Sequence, residues 1–352
     1  MLGVPQGSIL GPLFFLIFIN DLIFFLTDIQ SKLFADDTTL YQSGSDLAVL
    51  SKKFEGVIDQ LLEWCNNNRI DINWSKTFFM VITNKRISIP DSFYMKGIEI
   101  QCVSEFKLLG ITIDNKLNFN AHVTKLCHCI NSKLFSIKKI FYLNISVKVQ
   151  FFKTFILPYF DYCSTLLIYF SKTVIQKLCN KYYLCISKLL RINFDDLNLT
   201  DFKQINDYLM EKFDIPAFQF RICQRLSIFS FKMLNYDSSP KILHDGLLSH
   251  FLKLSMVELN PSAMSENVKK LRNRDINIFE HDSTIGKYEM RTFNYFFYAF
   301  LSKCLNIDYF NYSLSDFKLY LKNNISNIFV SFSSTFSNFF LTINSYNFKS
   351  FD

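Results

Sequence analysis

Asp36 and Asp37 are the residues in this chain best suited to chemistry, adjacent carboxylates within Phe34-Ala35-Asp36-Asp37-Thr38-Thr39-Leu40. Lys32-Leu33-Phe34 leads into them and Thr39-Leu40-Tyr41 leads away. Both flanks favour strand, so the run predicts a hairpin turning near Ala35-Asp36. Carboxylates at an apolar hairpin tip are costly unless solvent or a cation compensates them. Hard divalent cations take oxygen ligands of this kind and commonly hold phosphates in the same site. The plain alternative is an exposed turn, a place where Asp is common. Successive strand side chains face opposite ways, so the two carboxylates cannot both point squarely at one ion unless the turn bends them.

Upstream lies Gly3-Val4-Pro5-Gln6-Gly7-Ser8-Ile9-Leu10-Gly11-Pro12, with three glycines and two prolines, a backbone suited to close approach rather than regular structure. Ser8 and Pro12 are also what a capping loop before a helix would use. An apolar stretch, Pro12 to Leu26, joins this loop to the Asp36 hairpin. Further on come Trp64 with Asn66 to Asn68, then Asn73-Trp74-Ser75-Lys76-Thr77, then Phe106-Lys107-Leu108-Leu109-Gly110-Ile111. In this order, the strings resemble the palm of reverse transcriptases, particularly those of non-LTR (LINE, jockey-like) retrotransposons. The resemblance is firm over residues 3 to about 120 and looser beyond.

That resemblance implies an RNA-directed DNA polymerase using two Mg²⁺ (or Mn²⁺) ions, with RNA template, DNA primer and dNTP as partners. Asp36 would be the principal metal ligand and Asp37 would lie alongside it. Pro5, Gln6, Gly7 and Ser8 would shape the template and nucleotide cleft, and Leu109-Gly110 would be the primer grip. Lys76 matches a family lysine near the nucleotide's phosphates, but a solvated lysine at a strand end reads equally well. In the family an Asp-bearing strand and the fingers precede the glycine loop. This chain begins at Met1, two residues before that loop, so neither is expected, and the chain alone is expected to be inactive. A truncated element copy or a clipped gene start would account for that. The alternative is a non-catalytic nucleic-acid-binding remnant or co-opted protein.

Several elements must position these residues. Ser45 to Asn68 predicts an amphipathic helix, with Leu47, Leu50, Phe54, Val57, Leu61 and Trp64 on one stripe. Thr77 to Thr83 and Phe106 to Asp114 each predict a strand, and Phe93 to Val103 a hairpin turning at Lys96-Gly97. Beyond Asn118 the pattern is helical, with Val123, Leu126, Ile130, Leu134, Ile137 and Phe141 on one stripe. Val174, Leu178, Tyr182, Cys185 and Leu189 form a second, and Pro216 to Leu234 holds a third helix, with Pro158 breaking the chain between the first two stripes. Phe293 to Leu305 and Ser313 to Ile325 follow as the last helical stretches. The expected fold is α+β: a partial palm of helix, hairpin, helix and strands over 1–116, then a mainly helical remainder. That remainder divides into a thumb-like region at 117–236, a C-terminal helical region at 237–325 and a low-complexity tail at 326–352.

The 352 residues allow two or more domains. A balance of 38 basic to 31 acidic residues is compatible with a polyanionic partner without demonstrating one. Lys269, Lys270, Arg272 and Arg274 form the strongest local cluster, a candidate contact to nucleic-acid backbone. Lys133, Lys138 and Lys139 could lie along duplex phosphates or simply face solvent. Nine cysteines, without C-x-x-C spacing, predict reduced thiols with no disulfide partner, in an intracellular protein of nucleus or cytoplasm. His122, Cys127, His128 and Cys129 suggest zinc only superficially, because 127 and 129 fall on different helix faces. Leu10 to Leu26 imitates a membrane span, but Pro12, Asn20 and Asp21 interrupt it, and a helix buried in the palm is the expected reading. Oligomeric state is not legible.

Overall fold

A computed structural model describes residues 7–136, 142–197, 199, 201–236, 243, 245, 293–305 and 312–336. Pro5, Gln6, Lys138, Lys139, the Lys269–Arg274 cluster, the expected boundary at 237–240 and positions 337–352 of the expected tail lie outside those residues. The chain mixes helices with three small sheets and divides into two compact units between Leu117 and Asn118.

The first unit opens with α1 (Gly11–Ile19) and α2 (Leu22–Phe25). A single buried helix over Pro12–Leu26 was the expectation, and the structure corrects it twice. Asn20 and Asp21, poor residues for a helix interior, interrupt it. In addition, α1 is apolar on every side, and only Gly11 and Ile19 find cover, while Leu13 to Phe18 remain partly exposed. Strands β1 (Gln30–Phe34) and β2 (Asp37–Tyr41) pair antiparallel, with Phe34 opposite Asp37.

The spine of this unit is α3 (Leu47–Asn68). It starts where the Asp46 carboxylate accepts a hydrogen bond from Ala48 N, satisfying one of the otherwise orphaned amides of the first turn. It stops at Arg69, which takes a left-handed φ of 56°. One side of α3 brings Val57, Trp64 and Cys65 against Ile19, Leu22, Leu26 and Ile29, and another brings Ile58 against Phe93, Met95 and Ile100.

The second of those clusters rests on a sheet ordered β3–β5–β4: β3 (Phe78–Phe79), β4 (Ser92–Met95) and β5 (Ile98–Cys102). The turn between β4 and β5 falls at Lys96-Gly97 as expected, both with positive φ, which suits a two-residue hairpin loop. Two strands differ from expectation. The strand expected at 77–83 is paired only at Phe78–Phe79, because its single neighbour, β5, meets it only at Gln101 and Cys102. The strand expected at 106–114 is a hairpin, β6 (Glu105–Leu108) and β7 (Ile111–Asp114). Leu109 and Gly110 are its loop, with φ of 46° and 87°.

The second unit is helical: α4 (Asn120–Ser136), α5 (Ile145–Phe151), α6 (Leu157–Asp161), α7 (Lys172–Leu190), α8 (Phe202–Phe213), α9 (Phe218–Asn235), α10 (Phe293–Cys304) and α11 (Leu314–Thr335). One apolar core joins them, with Leu178, Tyr182, Cys185 and Leu189 of α7 fully or nearly buried. Pro158 does not break the chain. A π-helical turn over Phe152–Ile156 links α5 to α6, and Pro158 stands in the first turn of α6, where a missing N–H costs little. The low-complexity tail does not begin at 326 either, since α11 runs to Thr335. Ile328, Phe329 and Phe332 are buried there, and Phe329 stacks on Phe220 at 4.3 Å between ring centroids.

Polar links also cross this core. Arg221 on α9 donates from Nε and Nη2 to both carboxylate oxygens of Asp161, at 2.8 and 2.5 Å. Tyr182 donates its hydroxyl to Pro216 O at 2.6 Å, and burial pushes that phenol's pKa far up.

Candidate active site

The Asp36–Asp37 tip is built from a short sequence with little freedom. Leu33 and Leu40 share one face of the β1–β2 hairpin and pack on the Trp64 cluster, which fixes the register and sends Phe34 and Asp37 to the opposite face. Asp36 stands in the two-residue loop, and Ala35 before it takes a positive φ of 52°, as tight hairpin turns require. Both carboxylates are exposed. One is a loop residue and the other the first residue of a strand. Together they form a hard anionic tip on an anchored support.

The glycine loop enters α1 as a cap. Ser8 Oγ accepts from Gly11 N at 3.0 Å, Pro12 occupies the first turn, and Gly7 has φ of 85°. Among the described residues, nothing lies within 4 Å of where a Cβ on Gly7 would stand. Trp64 was expected as core and as part of one of the motif strings. It also donates its indole N–H to Asp21 at 3.2 Å, tying α3 to the break between α1 and α2. Asp21 was read only as an interruption of an apolar run, and no local signal pairs it with a tryptophan so distant in sequence.

Lys76 ends a 3₁₀ turn, Trp74–Lys76, organised by Asn73: its carbonyl accepts from Lys76 N and from Thr77 Oγ1, and its amide oxygen from Ser75 Oγ. The lysine is exposed. Two residues later, the Phe78 ring meets Phe106 at 5.9 Å between centroids, so the Lys76 segment and the Leu109–Gly110 hairpin are neighbours. Backbone bonds from Val103 N to Phe79 O and from Thr83 N to Asn115 O reinforce this, and no sequence signal announced the pairing. The Asp36 hairpin belongs to a separate sheet.

Asp36 and Asp37 suit a hard cation in donor chemistry but supply only part of a full coordination shell. Among the described residues, no group of three His, Cys, Asp or Glu side chains could hold a metal ion. On α4, Cys127 is half-buried and Cys129 exposed, and burial raises the Cys127 thiol and lowers His122. All nine cysteines are free thiols. No described helix is long and apolar enough to cross a membrane.

Comparison with known proteins agrees with the motif order. The family described as reverse transcriptase (RNA-dependent DNA polymerase) matches residues 1–113. The RNA-directed DNA polymerase from mobile element jockey of Drosophila melanogaster is 26% identical over 167 residues, 44% of this chain and 18% of that protein. A probable RNA-directed DNA polymerase from transposon BS of the same species is 31% identical over 137 residues, 36% of this chain and 15% of that protein. A third, from transposon X-element, is 28% identical over 172 residues, covering 46% and 18% respectively. The matched part is thus less than a fifth of each relative's length. No solved structure matches. Residues 1–113 thus match the reverse transcriptase family, and the chain is similar to RNA-directed DNA polymerases of jockey and other non-LTR retrotransposons.

Proposed function

We propose that this chain is the portion of an RNA-directed DNA polymerase that carries the palm's carboxylate hairpin, followed by a helical thumb-like region. The observation that carries the reading is the Asp36–Asp37 pair, held at the tip of a two-residue hairpin loop within the segment matching the reverse transcriptase family. Asp36, in the loop, would hold a divalent cation and Asp37 would stand beside it as helper. Such a cation would supply charge neutralisation for the reacting phosphates and acidify the attacking hydroxyl. The chain's own groups would do the positioning. Lys76 would offer its ammonium to the departing pyrophosphate. The backbone at Leu109–Gly110 would receive the primer, and Gln6 and Gly7 the template or incoming nucleotide. Almost all phosphoryl-transfer catalysis rests on this sort of placement.

Two carboxylates do not complete a two-ion clamp, and the described residues bring no third. That favours a second reading, in which the chain binds template–primer without extending it. Primer extension in Mg²⁺ or Mn²⁺, by residues 1–352 alone and with an upstream polymerase segment supplied, separates the two. Extension that needs the added segment and is abolished by Asp36→Ala supports the polymerase reading. Binding without extension in both cases supports the second. Extension that survives Asp36→Ala rejects the assignment of Asp36.

A further inference from the structure

The sheet β3–β5–β4 has one face packed on α3 and a second face that the polymerase reading leaves without a task. Phe79, Phe93, Met95 and Ile100 point inward, so alternation sends Phe78, Ser92, Tyr94, Glu99 and Gln101 outward. The register places Phe78, Gln101 and Ser92 in one row across the sheet and Glu99 beside Tyr94 in the next. The aromatic members are notably exposed, Phe78 at 39% and Tyr94 at 68%, and Phe106 of the neighbouring hairpin adds a ring at 38% against Phe78. From strand spacing and rise, Phe78 and Tyr94 stand roughly 12 Å apart, enough for separate bases.

We propose that this outer face is a stacking platform for unpaired nucleotides of a single-stranded nucleic acid, with Phe78 and Phe106 as one seat and Tyr94 as another. Exposed rings on an open sheet face, with amide and hydroxyl groups between them, are what splayed bases require: π-faces to stack on and hydrogen-bond partners for their edges. Gln101 and Ser92 supply the polar groups between the two seats. Exposed Lys76, two residues before Phe78, supplies positive charge at the Phe78 end. Glu99 beside Tyr94 disfavours phosphate there, so the backbone would run on the Phe78 side. The proposal rests on the polymerase reading for the presence of a single strand. It adds a base-recognising surface on a different sheet from the carboxylate hairpin.

The test compares the full chain's affinity for a labelled oligothymidylate and for an abasic oligomer with the same number of phosphates. The wild type should prefer the base-bearing strand. Phe78→Ala, Phe106→Ala and Tyr94→Ala should each erode that preference, by about five- to a hundredfold for removal of a stacking ring, and leave abasic binding unchanged. Phe78→Tyr keeps the π-face and should behave as wild type. Equal wild-type affinity for both strands, alanine variants that retain the preference, or variants that lose both strands alike would overturn the platform. Those results would not touch the Asp36 assignment, which is read by metal-dependent extension. Failure of the wild type to bind either strand would likewise overturn the platform.

Discussion

Replacing Trp64 tests whether the carboxylate hairpin is held from behind. The side chain is 2% exposed, packs with Ile19, Leu22, Leu26 and Val57, meets Phe18 at 5.9 Å, and donates to Asp21 at 3.2 Å. Trp64→Ala should cost about 3–5 kcal/mol, the usual range for emptying a large aromatic site. Trp64→Phe keeps most of the volume. It loses a hydrogen bond to a carboxylate that water also reaches, worth about 1 kcal/mol, plus roughly as much again for the missing ring atoms. The alanine loss is comparable to the whole margin of a small domain, so Leu33 and Leu40 should lose their support and the hairpin should open. The chain has two tryptophans, so each variant leaves Trp74, itself packed on the β4–β5 cluster, as the only tryptophan to follow in urea unfolding. Amide exchange at residues 33–40 reads the hairpin directly, and should accelerate strongly in Trp64→Ala and weakly in Trp64→Phe. A Trp64→Ala protein within 1 kcal/mol of wild type, about a fivefold change in the unfolding constant, or one with unaltered exchange at 33–40, would refute this reasoning.

Two further outcomes follow. Burial pushes the Cys185 and Cys304 thiols up to about 12 from an ordinary value near 9, so the folded protein keeps protons that the unfolded chain releases. Their contribution is fully present below about pH 9 and declines as pH rises toward 12, by up to about 1.4 kcal/mol per unit per thiol. The urea midpoint should therefore fall from pH 9 to 11, and a flat midpoint would contradict it. Charge reversal at Lys269, Lys270, Arg272 and Arg274 should weaken primer–template binding and reduce its salt slope by roughly one for each phosphate no longer neutralised. An unchanged slope removes the cluster from the interface.

The parts of the fold legible in the sequence are those where side-chain pattern and turn chemistry agree. The apolar stripe from Leu47 to Trp64 marked α3, and Lys96-Gly97 between alternating residues marked the β4–β5 hairpin. Leu109-Gly110 carried the same turn chemistry, but reading it as a motif inside one strand hid the loop, which both positive φ values make plain. The strand expected at 77–83 had the residues for pairing. How far it pairs depends on its neighbour, which local pattern cannot supply. In α11 the serine- and asparagine-rich composition beyond 325 masked Ile328, Phe329 and Phe332, whose spacing is helical and which are buried. At the site, Asp36 and Asp37 were visible as a motif and stand at the hairpin tip. The Trp64–Asp21 bond and the Phe78–Phe106 pair were not, because both join segments far apart in sequence.

The central claim is that the Asp36–Asp37 tip holds a divalent cation, and iron-mediated cleavage reads that position without requiring turnover. Fe²⁺ substituted for Mg²⁺, with ascorbate and peroxide, generates hydroxyl radicals at the bound ion, and mass spectrometry locates the cuts. The account predicts cleavage concentrated around residues 34–38, suppressed by excess Mg²⁺ and abolished in Asp36→Ala. Cleavage absent from that segment, or undiminished by Asp36→Ala, would contradict it.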